Sequence, residues 1–290
     1  MTIERLSPCK VNLLLNILGR RPDGFHELET VMLPVPLSDV IEFTRAGTGI
    51  ELACNHPELP VDGRNLVHRA AERFRAAANI ADGVRIRLEK RLPLAAGLGG
   101  GSANAAITLR ALNELFDHPL TSEQLHPLAA ELGSDVPFFL QDGPALATGR
   151  GETVQPLPAC AALRGCAIVL VHPGFGVSTP WAYRALADFP EALNGRRGRA
   201  AELAACLGGT DPVAVGAMLY NGLEAPVLRK HPLLAEFQDY FRAAGALGTL
   251  MSGSGSTTFA VARDLAVAER MVAGFEERFG SSCWTATTAL

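Results

Sequence analysis

The stretch PLAAGLGGGSAN, residues 93–104, holds four glycines and one serine among twelve residues, and it limits what this chain can fold into more than any other segment. Before it, VRIRLEKRLPL alternates, with Val84, Ile86 and Leu88 on one side of an extended run that stops at Pro93. After it, Ala105, Leu109, Leu112 and Phe116 recur at helical spacing, so a helix begins near Ser102. The Gly-rich segment is therefore a fixed loop between a strand and a helix rather than a linker. Gly97, Gly99, Gly100 and Gly101 leave main-chain N–H groups open to a ligand, and the helix adds its own unsatisfied N–H groups and the positive end of its dipole. No Lys follows the last Gly, so this is not a Walker A loop, and the spacing is not the GxGxxG of dinucleotide folds. On its residues alone the loop fits either phosphate binding or a plain tight connection.

The 290 residues are 48% hydrophobic and 19% charged, enough apolar material for two medium domains. The net charge of −4 supplies no field for a nucleic-acid backbone or an anionic membrane, so neither partner is expected. Cysteines at 9, 54, 160, 166, 206 and 283 form no CxxC pair, which predicts neither a metal site nor a disulfide framework but buried thiols in a reducing cytosol. The opening MTIERLSPCK lacks the apolar core of a signal peptide, and no apolar run approaches the ~20 residues of a membrane span. A soluble, cytoplasmic protein is the expectation.

Along the chain, CKVNLLLNILG places Val11, Leu13, Leu15 and Ile17 on one strand face and Lys10, Asn12, Leu14 and Asn16 on the other. A Pro-Asp-Gly turn then carries Phe25 and His26, followed by separate strands in VMLPVPL and DVIEFTR. Asn65 caps a helix, Thr121 to Gln124 reads as a capping box for another that Gly133 closes, and Asp135 falls in the loop SDVPFFLQDG. TVQPLPACAALRG reads as the join between an N-terminal domain, 1–157, and a C-terminal domain, 158–290, which opens with the strand CAIVLVHPG. Thr179, Asp211 and His231 each stand before a Pro at the start of a helix, and a second Gly loop, LMSGSGSTTFAVA, lies between a helix ending near Gly245 and an alternating strand.

PLAAGLGGGSANAA resembles the central motif of the GHMP kinases, the family of galacto-, homoserine, mevalonate and phosphomevalonate kinases. SPCKVNLLLNILGRRPDGFHELETVM, LGSDVPFFL and LMSGSGSTTFAV are similar, in order and spacing, to one branch of it, and the DGFH turn directly after a Lys-x-Asn strand separates that branch from its cousins. The resemblance implies an α+β fold in two parts, an N-terminal nucleotide domain like the second domain of ribosomal protein S5 and a ferredoxin-like C-terminal domain. It also implies a small-molecule kinase of non-mevalonate isoprenoid synthesis, which passes the γ-phosphoryl of ATP to a hydroxyl of CDP-methylerythritol.

The same resemblance implies roles for individual residues. Asp135 would take the hydroxyl proton and Lys10 would stabilise the reacting charges, as phosphoryl transfer requires. Pro93, Leu94, Ala95, Ala96, Gly97, Leu98, Gly99, Gly100, Gly101, Ser102 and Ala103 would hold the phosphates of ATP, with Mg²⁺ arriving on them. Ser102 matches one of the family's metal ligands, but its acidic partner has no counterpart here, so no metal ligand is named. Asn12 would bind substrate, Phe25 would stack on cytosine where the family commonly has Tyr, His26 would read the base edge, and Tyr183 or Trp181 would supply a second ring. Loop 252–257, with Ser256 where the family often has Pro, would lie near the phosphates. Taken singly, Lys10 and Asp135 read as a solvated strand residue and a turn cap, and Phe25 as a hydrophobic turn plug. Two other functions remain open: another kinase of the family, for homoserine or phosphomevalonate, and a non-catalytic nucleotide sensor of the same fold.

Overall fold

The computed structural model describes residues 2–290, and the chain divides into two compact units that do not follow chain order. The first takes the residues up to Cys9, Pro36–Leu92 and Gly99–Asp142; the second takes Lys10–Val35, Pro93–Leu98 and Gly143–Leu290. Two long strands, β1 (Thr2–Arg20) and β2 (His26–Thr48), contribute a stretch to each. The two separate strands expected in VMLPVPL and DVIEFTR are thus one. Pro34 and Pro36, which punctuate the sequence, fall between the stretch paired with a later strand at 28–32 and the stretch paired at 40–48, where the missing N–H removes no bond from either ladder.

In the first unit, β3 (Ile50–Cys54), α1 (Leu66–Ala77) and β4 (Asp82–Glu89) form a strand-helix-strand unit in which β3 and β4 pair in parallel. The carboxamide oxygen of Asn65 accepts the Val67 N–H at 2.9 Å and starts α1 as expected. Val67, Ala70, Ala71 and Phe74 form its buried stripe. Val84, Ile86 and Leu88 are buried on one face of β4, which ends at Glu89, ahead of Pro93. Next comes α2 (Gly100–Leu115), buried on nearly every side and packed against α1. In α3 (Ser122–Leu132) the Gln124 side chain accepts the Thr121 N–H at 2.9 Å. A short 3₁₀ turn, Pro137–Leu140, follows.

The second unit continues with the hairpin β5 (Ala145–Gly149) and β6 (Thr153–Pro156), β5 pairing with β2. Strand β7 (Ala167–His172) leads into α4 (Thr179–Ala185), α5 (Pro190–Leu193), α6 (Arg199–Leu207) and α7 (Pro212–Met218). The two-residue β8 (Tyr220–Asn221) pairs in parallel with β1, and α8 (Glu224–Lys230), α9 (Leu233–Ala243), β9 (Gly248–Met251), β10 (Thr258–Ala262), α10 (Leu265–Phe279) and β11 (Trp284–Ala289) complete the chain. The sheet order β11-β7-β10-β9 is antiparallel throughout, the ferredoxin-like arrangement expected of the C-terminal part. β7 and β10 are buried along their whole length, so β10 does not show the alternation expected of it.

Other local expectations shift where tertiary contacts decide. Asp211 caps α7, accepting the Val213 N–H at 2.9 Å. Ser178 rather than Thr179 caps α4, because Thr179 hydrogen-bonds Ser254 through its hydroxyl at 2.7 Å. The cap of α9 is Pro232, not His231. The second Gly loop joins β9 to β10, so a strand intervenes after α9. Cys9 and Cys166 are buried, but Cys54, Cys160, Cys206 and Cys283 are only half-buried.

Phe237, Phe241 and Phe275 are fully buried under the four-stranded sheet's helices, with Phe241 and Phe275 stacked at 5.6 Å between ring centroids. The Phe275→Ala variant is expected to lose about 3–5 kcal/mol of stability, read from the midpoint of urea unfolding.

Candidate active site

Strand periodicity puts Lys10 and Asn12 of β1 on one face, and the fold buries both, to 2% and 4% exposure. Lys10 is thus not the solvated strand residue that its type alone suggests. Its ammonium donates to Asn12 Oδ1 at 2.5 Å and to the Gly97 carbonyl at 3.1 Å, oxygens that replace water around a charge taken out of solvent. Asn12 is itself oriented: its Nδ2 donates to Thr30 Oγ1 at 2.9 Å, and Thr30 donates to the Leu14 carbonyl at 2.6 Å.

The Gly97 carbonyl takes a second donor, the Ser252 hydroxyl at 2.9 Å, and the Asn12 N–H donates to that hydroxyl at 3.3 Å. The first Gly loop and the β9–β10 loop are therefore joined through one carbonyl. Thr257 N–H to the Ala96 carbonyl, 3.1 Å, and Lys10 N–H to the Leu98 carbonyl, 3.0 Å, add two further ties. A Cβ at Gly97 would stand 2.1 Å from the Ser252 carbonyl oxygen, and its φ of +77° lies in the left-handed region. A Cβ at Gly253 would reach 3.3 Å from Asn12 Oδ1 and 3.4 Å from the Lys10 ammonium.

The β9–β10 loop is set from behind by residues that the sequence did not single out. Asn221 Nδ2 donates to the Met251 and Gly253 carbonyls, both at 2.7 Å, and Glu224 Oε1 accepts the Met251 N–H at 2.8 Å. Burial pushes the Glu224 carboxyl above its usual range. A polar pair flanking Gly222-Leu223 gave no periodic signal, since Asn221 ends a two-residue strand.

In the first unit, α2 opens on Gly99, whose φ of +69° and missing side chain leave the helix start without a side-chain cap. Gly101 is exposed there and Ser102 half-buried, so N–H groups at the head of a 16-residue helix face an uncapped end. This fits an anionic phosphate. Among the described residues no group of three or more His, Cys, Asp or Glu side chains is placed to hold a metal ion. Asp135 lies half-buried in the same unit, in the turn before Pro137–Leu140, a stretch in which Val136, Phe138 and Phe139 are buried.

In the second unit His26 and Tyr183 meet, their ring centroids 5.0 Å apart and tilted by 31°. Burial first, and Arg20 second, push the His26 pKa below its usual value, so the imidazole is neutral at pH 7. Phe25 is 51% exposed and so is no turn plug; the Arg150 guanidinium lies over its ring at 4.7 Å. Trp181 instead carries the Lys230 ammonium at 3.9 Å and has His231 edge-on at 6.4 Å, leaving Tyr183 as the ring beside the Phe25-His26 pair.

The chain is similar to known proteins over most of its length. Residues 65–143 match the model of the GHMP kinases N terminal domain and residues 200–281 that of the GHMP kinases C terminal domain. The chain belongs to the GHMP kinase family. Among its relatives, 4-diphosphocytidyl-2-C-methyl-D-erythritol kinase of Acaryochloris marina is 46% identical over 276 residues, covering 91% of this chain and 88% of that one. The protein of the same name from Pelotomaculum thermopropionicum is 45% identical, covering 95% and 94%. A crystal structure of 4-(cytidine 5'-diphospho)-2C-methyl-D-erythritol kinase superposes with a TM-score of 0.82 at 38% identity, over 99% of this chain and all of that one. Homoserine kinase from Cytophaga hutchinsonii, at 22% identity and a TM-score of 0.77 over 99% and 93% of the two chains, shares the fold.

Replacing Gly97 by Ala would force its Cβ into the Ser252 carbonyl and strain a left-handed backbone. The expected outcome is a loss of about 1–3 kcal/mol or more, measured by chemical denaturation.

Proposed function

We propose that this chain transfers the γ-phosphoryl group of ATP to the 2-hydroxyl of 4-diphosphocytidyl-2-C-methyl-D-erythritol, a step of non-mevalonate isoprenoid precursor synthesis. The observation that carries the reading is likeness to kinases of that substrate along nearly the whole chain, 46% identical over 276 residues. The site's chemistry supports it. Asp135 accepts the hydroxyl proton, the freed oxygen attacks the γ-phosphorus, the bond to the bridging oxygen breaks, and ADP leaves. Lys10, desolvated and held by Asn12 and Gly97, places a fixed positive charge against the phosphoryl oxygens, where a preorganised group needs no rearrangement during the reaction. Residues 93–103 bind the ATP phosphates through main-chain N–H groups. Mg²⁺ carried on the ATP held by residues 93–103 would supply neutralisation of phosphate charge.

Asn12 hydrogen-bonds the substrate, Phe25 and Tyr183 stack on cytosine, and neutral His26 offers one donor and one acceptor to the base edge. Phe in place of the family's common Tyr keeps the ring and drops a hydroxyl. The chain divides in our reading into 1–157 and 158–290, with one family match on each side. No helix among the described residues is long and apolar enough to cross a membrane, and we place the reaction in the cytoplasm, without nucleic-acid or membrane partners, the net charge of −4 being consistent with this.

An ADP-release assay against diphosphocytidyl methylerythritol, homoserine, mevalonate, phosphomevalonate and galactose tests the reading. Turnover is expected with the first alone, and Asp135→Asn should lower kcat by about 10²–10⁴ with ATP affinity nearly intact. Turnover unchanged in that variant removes Asp135 from the mechanism. In the same assay Phe25→Ala should raise KM for the cytidine substrate well above any change for ATP; equal effects on both would rule out stacking on the base.

A further inference from the structure

Beneath the head of α2 lies a buried ion pair that the proposed chemistry does not use. Asp39 of β2 is fully buried, and the Lys90 side chain, just past the end of β4, is 3% exposed. Asp39 Oδ2 accepts from the Lys90 ammonium and from Asn104 Nδ2 at 3.0 Å. Its other oxygen accepts the N–H groups of Arg91 and Leu92 at 2.8 and 3.0 Å. Lys90 also donates to Asn104 Oδ1 at 3.2 Å, Asn104 donates to Ser7 at 2.8 Å, and the Asn55 carboxamide grips the Lys90 main chain from both sides, at 2.7 and 3.2 Å.

A buried ion pair gains little stability over well-packed apolar groups, because desolvation offsets the attraction, so stability does not account for this one. Nor does it supply field to an anion at the helix head. A Cβ on Gly100 would be 3.4 Å from the Lys90 ammonium but also 3.8 Å from Asp39 Oδ2, and the two charges cancel at that distance. What the network does supply is position. Arg91 and Leu92 are the last residues before segment 93–98, and Asn104 stands in the second turn of the helix after it. One carboxylate therefore fixes both ends of the Gly-rich loop, whose glycines give it no stiffness of its own.

We infer that Asp39, Lys90 and Asn104 are positioning residues that hold the Gly-rich loop in its phosphate-binding shape. The inference rests on the proposed role of residues 93–103, and its test separates the two. Asp39→Asn keeps an acceptor for the Arg91 and Leu92 amides but turns an NH₂ group toward the Lys90 and Asn104 donors. Asn104→Leu removes the helix-side tie without touching either charge, and it decides the matter if Asp39→Asn fails to fold. In both variants, hydrogen exchange of the amides of residues 94–103 in the nucleotide-free protein should quicken relative to the rest of the chain. KM for ATP should rise about 10- to 100-fold, while KM for the alcohol stays within about twofold. Exchange in 94–103 that rises no more than elsewhere overturns the inference, whatever the nucleotide kinetics. Faster exchange with KM for ATP unchanged upholds the anchoring and instead sinks the phosphate-binding role of the loop.

Discussion

The Gly97 carbonyl accepts both the Lys10 ammonium and the Ser252 hydroxyl, and no side chain fits at that residue, where a Cβ would lie 2.1 Å from the Ser252 carbonyl. This close passage of two main chains fixes the separation of the two Gly-rich loops, and with it the place of the ammonium that the first of them helps to solvate. Backbone packed against backbone leaves little slack, since neither side can relax by changing rotamer. Asn12, Thr30, Asn221 and Glu224 extend the arrangement by orienting the groups that touch it.

Two charges buried in this protein, Lys10 and Asp39, follow one pattern, in which a charge taken out of water is met by several oriented dipoles or by its counter-charge. Lys10 has the Asn12 and Gly97 oxygens; Asp39 has two main-chain amides, a carboxamide and Lys90. Such networks narrow the range of loop conformations more than they lower the free energy of folding. That suits a kinase, whose chemistry consists largely of placing phosphoryl oxygens, a hydroxyl and a few charges at fixed separations.

Local patterns in the sequence agree with the structure where the determining interaction is itself local. The Asn65 cap, the Thr121 to Gln124 capping box, the Asp211 cap and the alternation of β4 each depend on residues within four positions of one another. The differences between pattern and structure have a common source in contacts between distant residues. VMLPVPL and DVIEFTR look like two strands until one strand is found to run through both, and Thr179 looks like a cap until its hydroxyl is found on Ser254. The alternation expected of β10 disappears because both of its faces are covered.

The sequence by itself determined the family, the ferredoxin-like C-terminal part, the strand face shared by Lys10 and Asn12, and a Gly-rich loop at a helix head. The last two depend on residue order and spacing, which the chain carries unfolded; the first two follow from the resemblance that its motifs carry. Only the tertiary structure decided that Lys10 is buried, that Tyr183 rather than Trp181 meets His26, that Asp39 accepts the Arg91 and Leu92 amides, and that Asn221 and Glu224 hold the β9–β10 loop. Burial and contact between residues tens to hundreds of positions apart arise when the core closes, and no short-range pattern encodes them.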